Sequence, residues 1–204
     1  MRIAFRYWWV AAALASATGP VSAMDLNVFV PGDTIKAAEV NENFANLVDA
    51  IEGERTLAFP APALGSNPDS PVITAFATGL RWQPDFSEGA NLLIPKPTDW
   101  DGTTDVVLEV YFFPLSGAAG AVDFFIRPRA FDIGDIISDA SSQSETPVPA
   151  SGFLVLAKQS FTIEASRLSG GELWHITIQR GGGGETYPDD VVVVSVALKY
   201  NVSY

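Results

Sequence analysis

The sequence contains no cysteine, so no disulfide can staple it and no thiolate can hold a metal. It has a single histidine, His175, too few for a typical zinc site. A Ser-His-Asp triad would have to use that histidine, and no G-x-S-x-G nucleophile elbow accompanies it. Basic residues are scarce, with 12 Lys and Arg against 24 Asp and Glu. Such a chain repels phosphate backbones, which argues against nucleic acid as a partner. Long apolar runs are missing too. The run from Val10 to Ala17 is stopped by Thr18, Gly19 and Pro20, short of the ~20 residues a bilayer span needs. No later stretch reaches that length, and no membrane span is expected.

What stands at the start has the three parts of a secretory signal. Arg2 and Arg6 give a positive n-region, Val10 to Ala17 an apolar h-region, and Val21-Ser22-Ala23 a small-residue cleavage site. Removal of residues 1–23 takes away Arg2 and Arg6 and leaves 10 basic against 24 acidic side chains, a net charge of −14. The expected location is secreted or cell-surface, with the periplasm as a further compartment. Aromatics at 11% and hydrophobics at 48% supply a core for the remainder, so stability without disulfides must come from that core or from association.

The spacing predicts a helix from Thr34 to Glu52. Ala37, Val40, Phe44, Leu47 and Ile51 recur three and four apart, with Asp33 or Thr34 as cap and Gly53 as stop. Pro60, Pro62, Pro68 and Pro71 with Gly65 read as a stiff connector over residues 56–71. From about Val72 the period becomes two. Val106, Leu108, Val110 and Phe112 alternate with polar neighbours, as do Trp174, Ile176 and Ile178. The last segment places Val192, Val194, Val196, Leu198, Tyr200, Val202 and Tyr204 on one face. Roughly eight strands and no second helix predict a mainly β chain, an antiparallel β-sandwich or jelly roll preceded by a short N-terminal helix. The expected organisation is signal 1–23, helical segment 24–55, connector 56–71 and β-sandwich 72–204.

The residues Gly32, Ile35, Ala38, Val40, Asn41, Asn43, Phe44 and Leu47 form a G-x-x-I-x-A-x-x-V-N-x-N-F-x-x-L pattern. It resembles the short helix that precedes a β-rich head in bacterial exported proteins and phage tail-fibre-like proteins. The resemblance implies a trimeric neck carrying a distal binding domain. Val40, Asn41, Phe44, Leu47 and Ile51 would then form the association stripe, with Asn41 fixing register between chains.

Candidate chemistry is sparse. Asp99-Trp100-Asp101-Gly102 with Asp105 gathers hard oxygen ligands suited to calcium, and Asp132, Asp135 and Asp139 form a second cluster, Asp189-Asp190 a third. Aspartates in turns also bond their own backbone, and that reading is preferred, so no cofactor is expected beyond a possible role for calcium. The tetraglycine Gly181 to Gly184 reads as a flexible hairpin tip. Trp82, Trp100, Trp174, Tyr111 and Tyr187 could stack on sugar rings where exposed; Trp82 and Trp100 lie near turns, while Trp174 reads as core, so Trp82, Trp100 and Tyr187 are the ligand candidates. His175 reads as a surface residue on the polar face of its strand. The expected function is an oligomeric structural or binding protein, an adhesin-like trimer with a carbohydrate or surface partner. The alternative is an exported polysaccharide hydrolase using Glu109, Glu164 or Glu172, which needs a defined carboxyl pair.

Overall fold

The computed structural model describes residues 27–28, 34, 36–51, 53–66, 72–73, 79–84, 89–135, 141–181 and 183–203. The signal segment, Asp33, Pro68, Pro71, Asp139 and the side chain of Ile51 lie outside the described residues. Helix α1 spans Ala37–Ile51 and is followed by β1, Gly53–Pro60, and a 3-10 turn, Ala61–Ala63. Strands β2 (Gly65–Ser66), β3 (Val72–Ile73), β4 (Leu80–Trp82), β5 (Gly89–Pro95) and β6 (Val106–Pro114) come next. They lead to β7 (Ala121–Val122), β8 (Phe124–Phe131), β9 (Gln143–Ser144), β10 (Val148–Pro149) and β11 (Ala157–Ile163). A one-turn helix α2, Ala165–Leu168, interrupts the strands before β12 (Leu173–Arg180) and β13 (Val191–Val202).

The strands form two antiparallel sheets. In the first, β13 lies between β6 on one side and β4 and β1 on the other, with β11 beyond β6 and β3 beyond β4. The second has the order β2-β5-β12-β8-β9, and β7 and β10 make a separate short pair. Inward side chains of both sheets meet edge to face. Phe112 of β6 stands 5.2 Å from Phe124 of β8, which lies 5.5 Å from Trp82 of β4. At the other end Trp174 of β12 stands 5.0 Å from Trp100 and 6.4 Å from Tyr200 of β13. Such T-shaped contacts suit the ring quadrupoles, and the whole set is buried. The predicted β-sandwich with one helix near the N-terminus is the observed fold.

Three expectations need correction. Residues 56–60 are no connector: β1 runs antiparallel to β13 from Gly53 opposite Val202 to Pro60 opposite Ser195. The chain then crosses to the second sheet through Ala61 and Leu64, both core residues. Proline fits here because Pro60 ends the strand and Pro62 stands in the first turn of the 3-10 segment, where no donor is needed. Secondly, β13 does not keep one phase. A bulge between Val193 and Ser195 puts Val191 and Val193 in the core with Val196, Leu198, Tyr200 and Val202. Val192 and Val194 therefore face away from the apolar set. Gly79 fits this bulge because a Cβ there would stand 2.5 Å from the Val193 carbonyl oxygen. Thirdly, α2 adds a second helix after α1.

Two glycines of the glycine-rich tip are tied down by backbone hydrogen bonds. Gly181 N–H donates to the Asp123 carbonyl at 3.0 Å and Gly184 N–H to Asp123 Oδ2 at 2.9 Å. Asp123 is itself buried, and Gln159 Nε2 donates to its Oδ1 at 3.2 Å. The neighbouring Arg180 has no exposed surface. Its guanidinium donates to the Trp82 carbonyl at 2.8 Å, the Tyr187 carbonyl at 3.1 Å and Glu185 Oε1 at 2.8 Å. A buried charge without its partner is strongly destabilising, whereas removing both partners costs less. Arg180→Ala should therefore lose about 3 kcal/mol or more in urea denaturation. Arg180→Met combined with Glu185→Gln should recover at least half of that loss. A double variant no better than the single one would show that the pair is not the source of the cost.

Candidate functional site

The side chains singled out from sequence are scattered through the fold. Trp82, Trp100 and Tyr187 are core residues at 0%, 9% and 1% exposure, so none can stack on a sugar. Proximity to turns misleads here. Trp82 shares the inward parity of Leu80 on β4, Trp100 bridges to Val202 and donates to the Thr104 carbonyl at 3.2 Å, and the Tyr187 hydroxyl is held by Ser116. The three aspartates of the proposed calcium cluster serve separate ends. Asp99 pairs with Arg55 at 2.6 Å, Asp101 accepts from the Thr103 and Thr104 backbone N–H groups at 2.8 Å, and Asp105 accepts from Ala165 N–H at 3.0 Å. Burial pushes the Asp101 carboxyl up, but the four bonds from Thr103 and Thr104 outweigh it and leave it below its usual range. Asp189 and Asp190 bond Ser116 and Arg81. Among the described residues no group of three metal-ligating side chains comes together.

On α1, Phe44 and Leu47 are 63% and 40% exposed, Asn41 is exposed and Val40 half-buried. Asn43 has a role that the stripe did not suggest. Its Nδ2 donates to the Asn27 carbonyl at 3.0 Å and its Oδ1 accepts from Asn27 N–H at 2.6 Å, holding the preceding segment against the helix.

Glu109 is not a solvating carboxylate. It is 4% exposed on the outer face of the first sheet, receiving Lys158 Nζ at 2.5 Å and the Tyr111 hydroxyl at 2.6 Å, with Lys199 Nζ at 3.5 Å. Burial raises its carboxyl, yet these donors and charges bring it below the ordinary value. A carboxylate held ionised by two lysines is a poor general acid, and no second carboxyl faces it in these contacts.

The outer face of the second sheet gathers polar side chains of another kind. Strand β12 pairs along its length with β5 and β8, so residues of one parity form rows across three strands. Leu93, His175 and Arg129 make one row; Asn91, Thr177 and Arg127 make the next. Thr177 Oγ1 donates to Asn91 Oδ1 at 2.9 Å, and His175 Nε2 lies 3.2 Å from the same oxygen. That oxygen only accepts, so Nε2 carries the imidazole proton. Arg127 lies over the Phe125 ring at 5.3 Å and Arg129 over Phe131 at 5.8 Å, a cation–π arrangement that orients both guanidiniums. Leu93 is 57% exposed beside them, while Asn91, Arg127, Arg129, His175 and Thr177 are half-buried.

The signal for this face was present in the sequence as Phe125-x-Arg127-x-Arg129-x-Phe131. Pro128 disguised it, since proline argues against a strand interior. It is tolerated because β9 pairs only with Phe125 and Ile126, leaving β8 at Pro128 without a described partner on that side.

No protein-family model matches the chain, and no curated protein matches it by sequence. The chain is similar to several solved structures. The xylan-binding module CBM15 has a TM-score of 0.48 and 13% identity over 72% of this chain and 97% of its own. The CBM36-1 domain of a multidomain xylanase from the hindgut metagenome of Trinervitermes trinervoides has a TM-score of 0.46 and 8% identity over 71% and 96%. The CBM22-1 xylan-binding domain from Paenibacillus barcinonensis has a TM-score of 0.42 and 13% identity over 72% and 94%. The chemistry of this chain rests on its own residues.

His175 gives the face a pH signature. Burial, then the charge of Arg129, hold its imidazole below the usual 6.5, so it is neutral at neutral pH. Above about pH 6.5 neither folded nor unfolded chain protonates it; below, the unfolded chain takes the proton first and stability falls. Thermal melting of wild type should decline as pH drops from 7 toward 5, and His175→Gln should lose that part of the decline. An unchanged pH slope in the variant would contradict the buried neutral imidazole. At pH 7.5, His175→Ala should cost about 1 kcal/mol, the loss of one hydrogen bond.

Proposed function

We propose that the chain is an exported, non-catalytic binding protein that recognises carbohydrate on the outer face of its five-stranded sheet. The observation that carries the reading is the convergence of Asn91, Arg127, Arg129, His175 and Thr177 in adjacent rows on rigid strands. Planar amide, imidazole and guanidinium groups with a hydroxyl supply donors and acceptors in the directions that sugar hydroxyls require. The exposed Leu93 provides an apolar patch for a ring face. His175 meets Asn91, Phe131 and Arg129, which suits a binding surface rather than a nucleophile–base pair.

In the same reading α1 joins chains into a trimer. Phe44 and Leu47 lie exposed on a helix about 22 Å long, at a rise of 1.5 Å per residue, too short to be stable alone in water. An apolar stripe of this kind is covered by association.

Native gels cast with xylan, mixed-linkage glucan or polygalacturonate test the first part. Retardation in at least one gel, reduced by Thr177→Ala or Arg127→Ala while melting stays within a few degrees, is the expected result. Unretarded wild type in all three would overturn it. Light scattering tests the second. The mature protein should have three times the chain mass, and Phe44→Asp should reduce it. A monomeric wild type would remove the trimer.

A further inference from the structure

We infer that Asn91 is the specificity-determining residue of this face, and that it reads two neighbouring sugar hydroxyls. Its amide nitrogen donates to the pair, whose own hydrogens go to Thr177 Oγ1 and His175 Nδ1. The ligand class that follows is a glycan with adjacent free hydroxyls on its rings, as 1,4-linked chains have. The inference rests on the carbohydrate reading and deepens it.

Its ground is the direction of the hydrogen bonds already made. Asn91 Oδ1 accepts from Thr177 Oγ1 at 2.9 Å and from His175 Nε2 at 3.2 Å, so both lone pairs of that oxygen are taken. The amide nitrogen keeps its two hydrogens, with no partner among the described residues. Thr177 has given its only hydrogen to Asn91, which leaves its oxygen as an acceptor. His175, with its proton on Nε2, is likewise an acceptor at Nδ1. A donor thus stands beside two acceptors, each fixed before a ligand arrives, which lowers the ordering cost of binding. A lone hydroxyl has one hydrogen to give and satisfies one acceptor. Two adjacent hydroxyls satisfy both and still receive the amide.

A second observation concerns the space beside Asn91. Strand β2 places Gly65 directly opposite Asn91, so Gly65 continues the row of Asn91, Thr177 and Arg127 at its outer end. The fold does not require glycine there. Its φ is not left-handed, and a Cβ would meet only Asn91, the carbonyl oxygen at 3.5 Å and Cβ at 3.9 Å, both ordinary contacts. Gly89, two residues before Asn91, differs: a Cβ there would stand 2.8 Å from the Gln179 side chain. Gly65 is exposed, and the absence of a side chain leaves Asn91 open from the edge of the sheet. A ring entering along the row reaches the amide from that side.

Xylan, polygalacturonate and the 1,4-linked rings of mixed-linkage glucan all carry adjacent free hydroxyls. Isothermal titration compares each with its periodate-oxidised, borohydride-reduced form, in which the bond between the two hydroxyl-bearing carbons is cut. Linear β-1,3-glucan is a further control, since its rings are whole but have no adjacent free hydroxyls within the chain. At least one intact glycan should bind, and its oxidised form and the 1,3-glucan should each bind at least tenfold more weakly. Asn91→Asp keeps the oxygen that accepts from Thr177 and His175 and removes the donor. Gly65→Val keeps every polar group and fills the space. Asn91→Asp toward the neutral glycans, and Gly65→Val toward any glycan that binds, should lose tenfold or more with melting within a few degrees of wild type. Equal affinity for intact glycan and either control, or Asn91→Asp binding a neutral glycan as tightly as wild type, would overturn the inference and leave the carbohydrate reading in place. Absence of binding to all three intact glycans would remove both. The glycan comparison uses wild type, so it stands even if a variant folds poorly.

Discussion

Strand β12 is paired from Leu173 to Gln179 with β5 on one side and along its whole length with β8 on the other, and the proposed function depends on that register. With side chains alternating at every residue, a slip of one position would send Trp174, Ile176 and Ile178 to solvent and bury His175 and Thr177. The apolar rows inside prevent it: Trp174 stands opposite Ile94 and Ala130, Ile176 opposite Leu92 and Pro128, Ile178 opposite Ala90 and Ile126. The same core that stabilises the sandwich therefore presents the polar rows outward. Site and fold are two faces of one pairing.

The ends of the sandwich are secured by polar groups taken out of water. Arg180, at the last position of β12, bonds two backbone carbonyls and Glu185, while Asp123 gathers the backbone of the glycine-rich tip. Buried ionic groups give little net stability, but they are costly to mismatch, and they set where β12 stops and the chain turns toward β13. At the opposite surface Glu109 binds its two lysines across β6, β11 and β13. Charges there are neutralised locally.

Much of the sandwich was readable from alternation. The runs at Val106 to Phe112 and Trp174 to Ile178 lie in the core as their periods require, because both strands are long, regular and apolar on one side. Three features were not readable, each because a local rule was overridden by tertiary pairing. The β13 bulge inserts a residue into an unbroken valine run, and no composition marks where the phase changes. Strand β1 contains proline only where its donor is dispensable, so its pairing with β13 was concealed by the prolines that follow. Trp82 and Trp100 stand beside turns but point inward, since backbone parity decides direction and nearness to a turn does not. The candidate face is hidden in the sequence for a related reason: Pro128 stands between Arg127 and Arg129, where proline argues against a strand, yet β8 runs through it from Phe124 to Phe131.

The central claim is that one face of one sheet receives the glycan. Backbone amide chemical shifts, followed by NMR as polygalacturonate oligomers are added, test it most directly. Shifts should concentrate at residues 91–93, 127–129 and 175–177, with little change on β6, β11 and β13. Perturbations centred on Glu109 and the first sheet, or spread evenly over the molecule, would contradict the account.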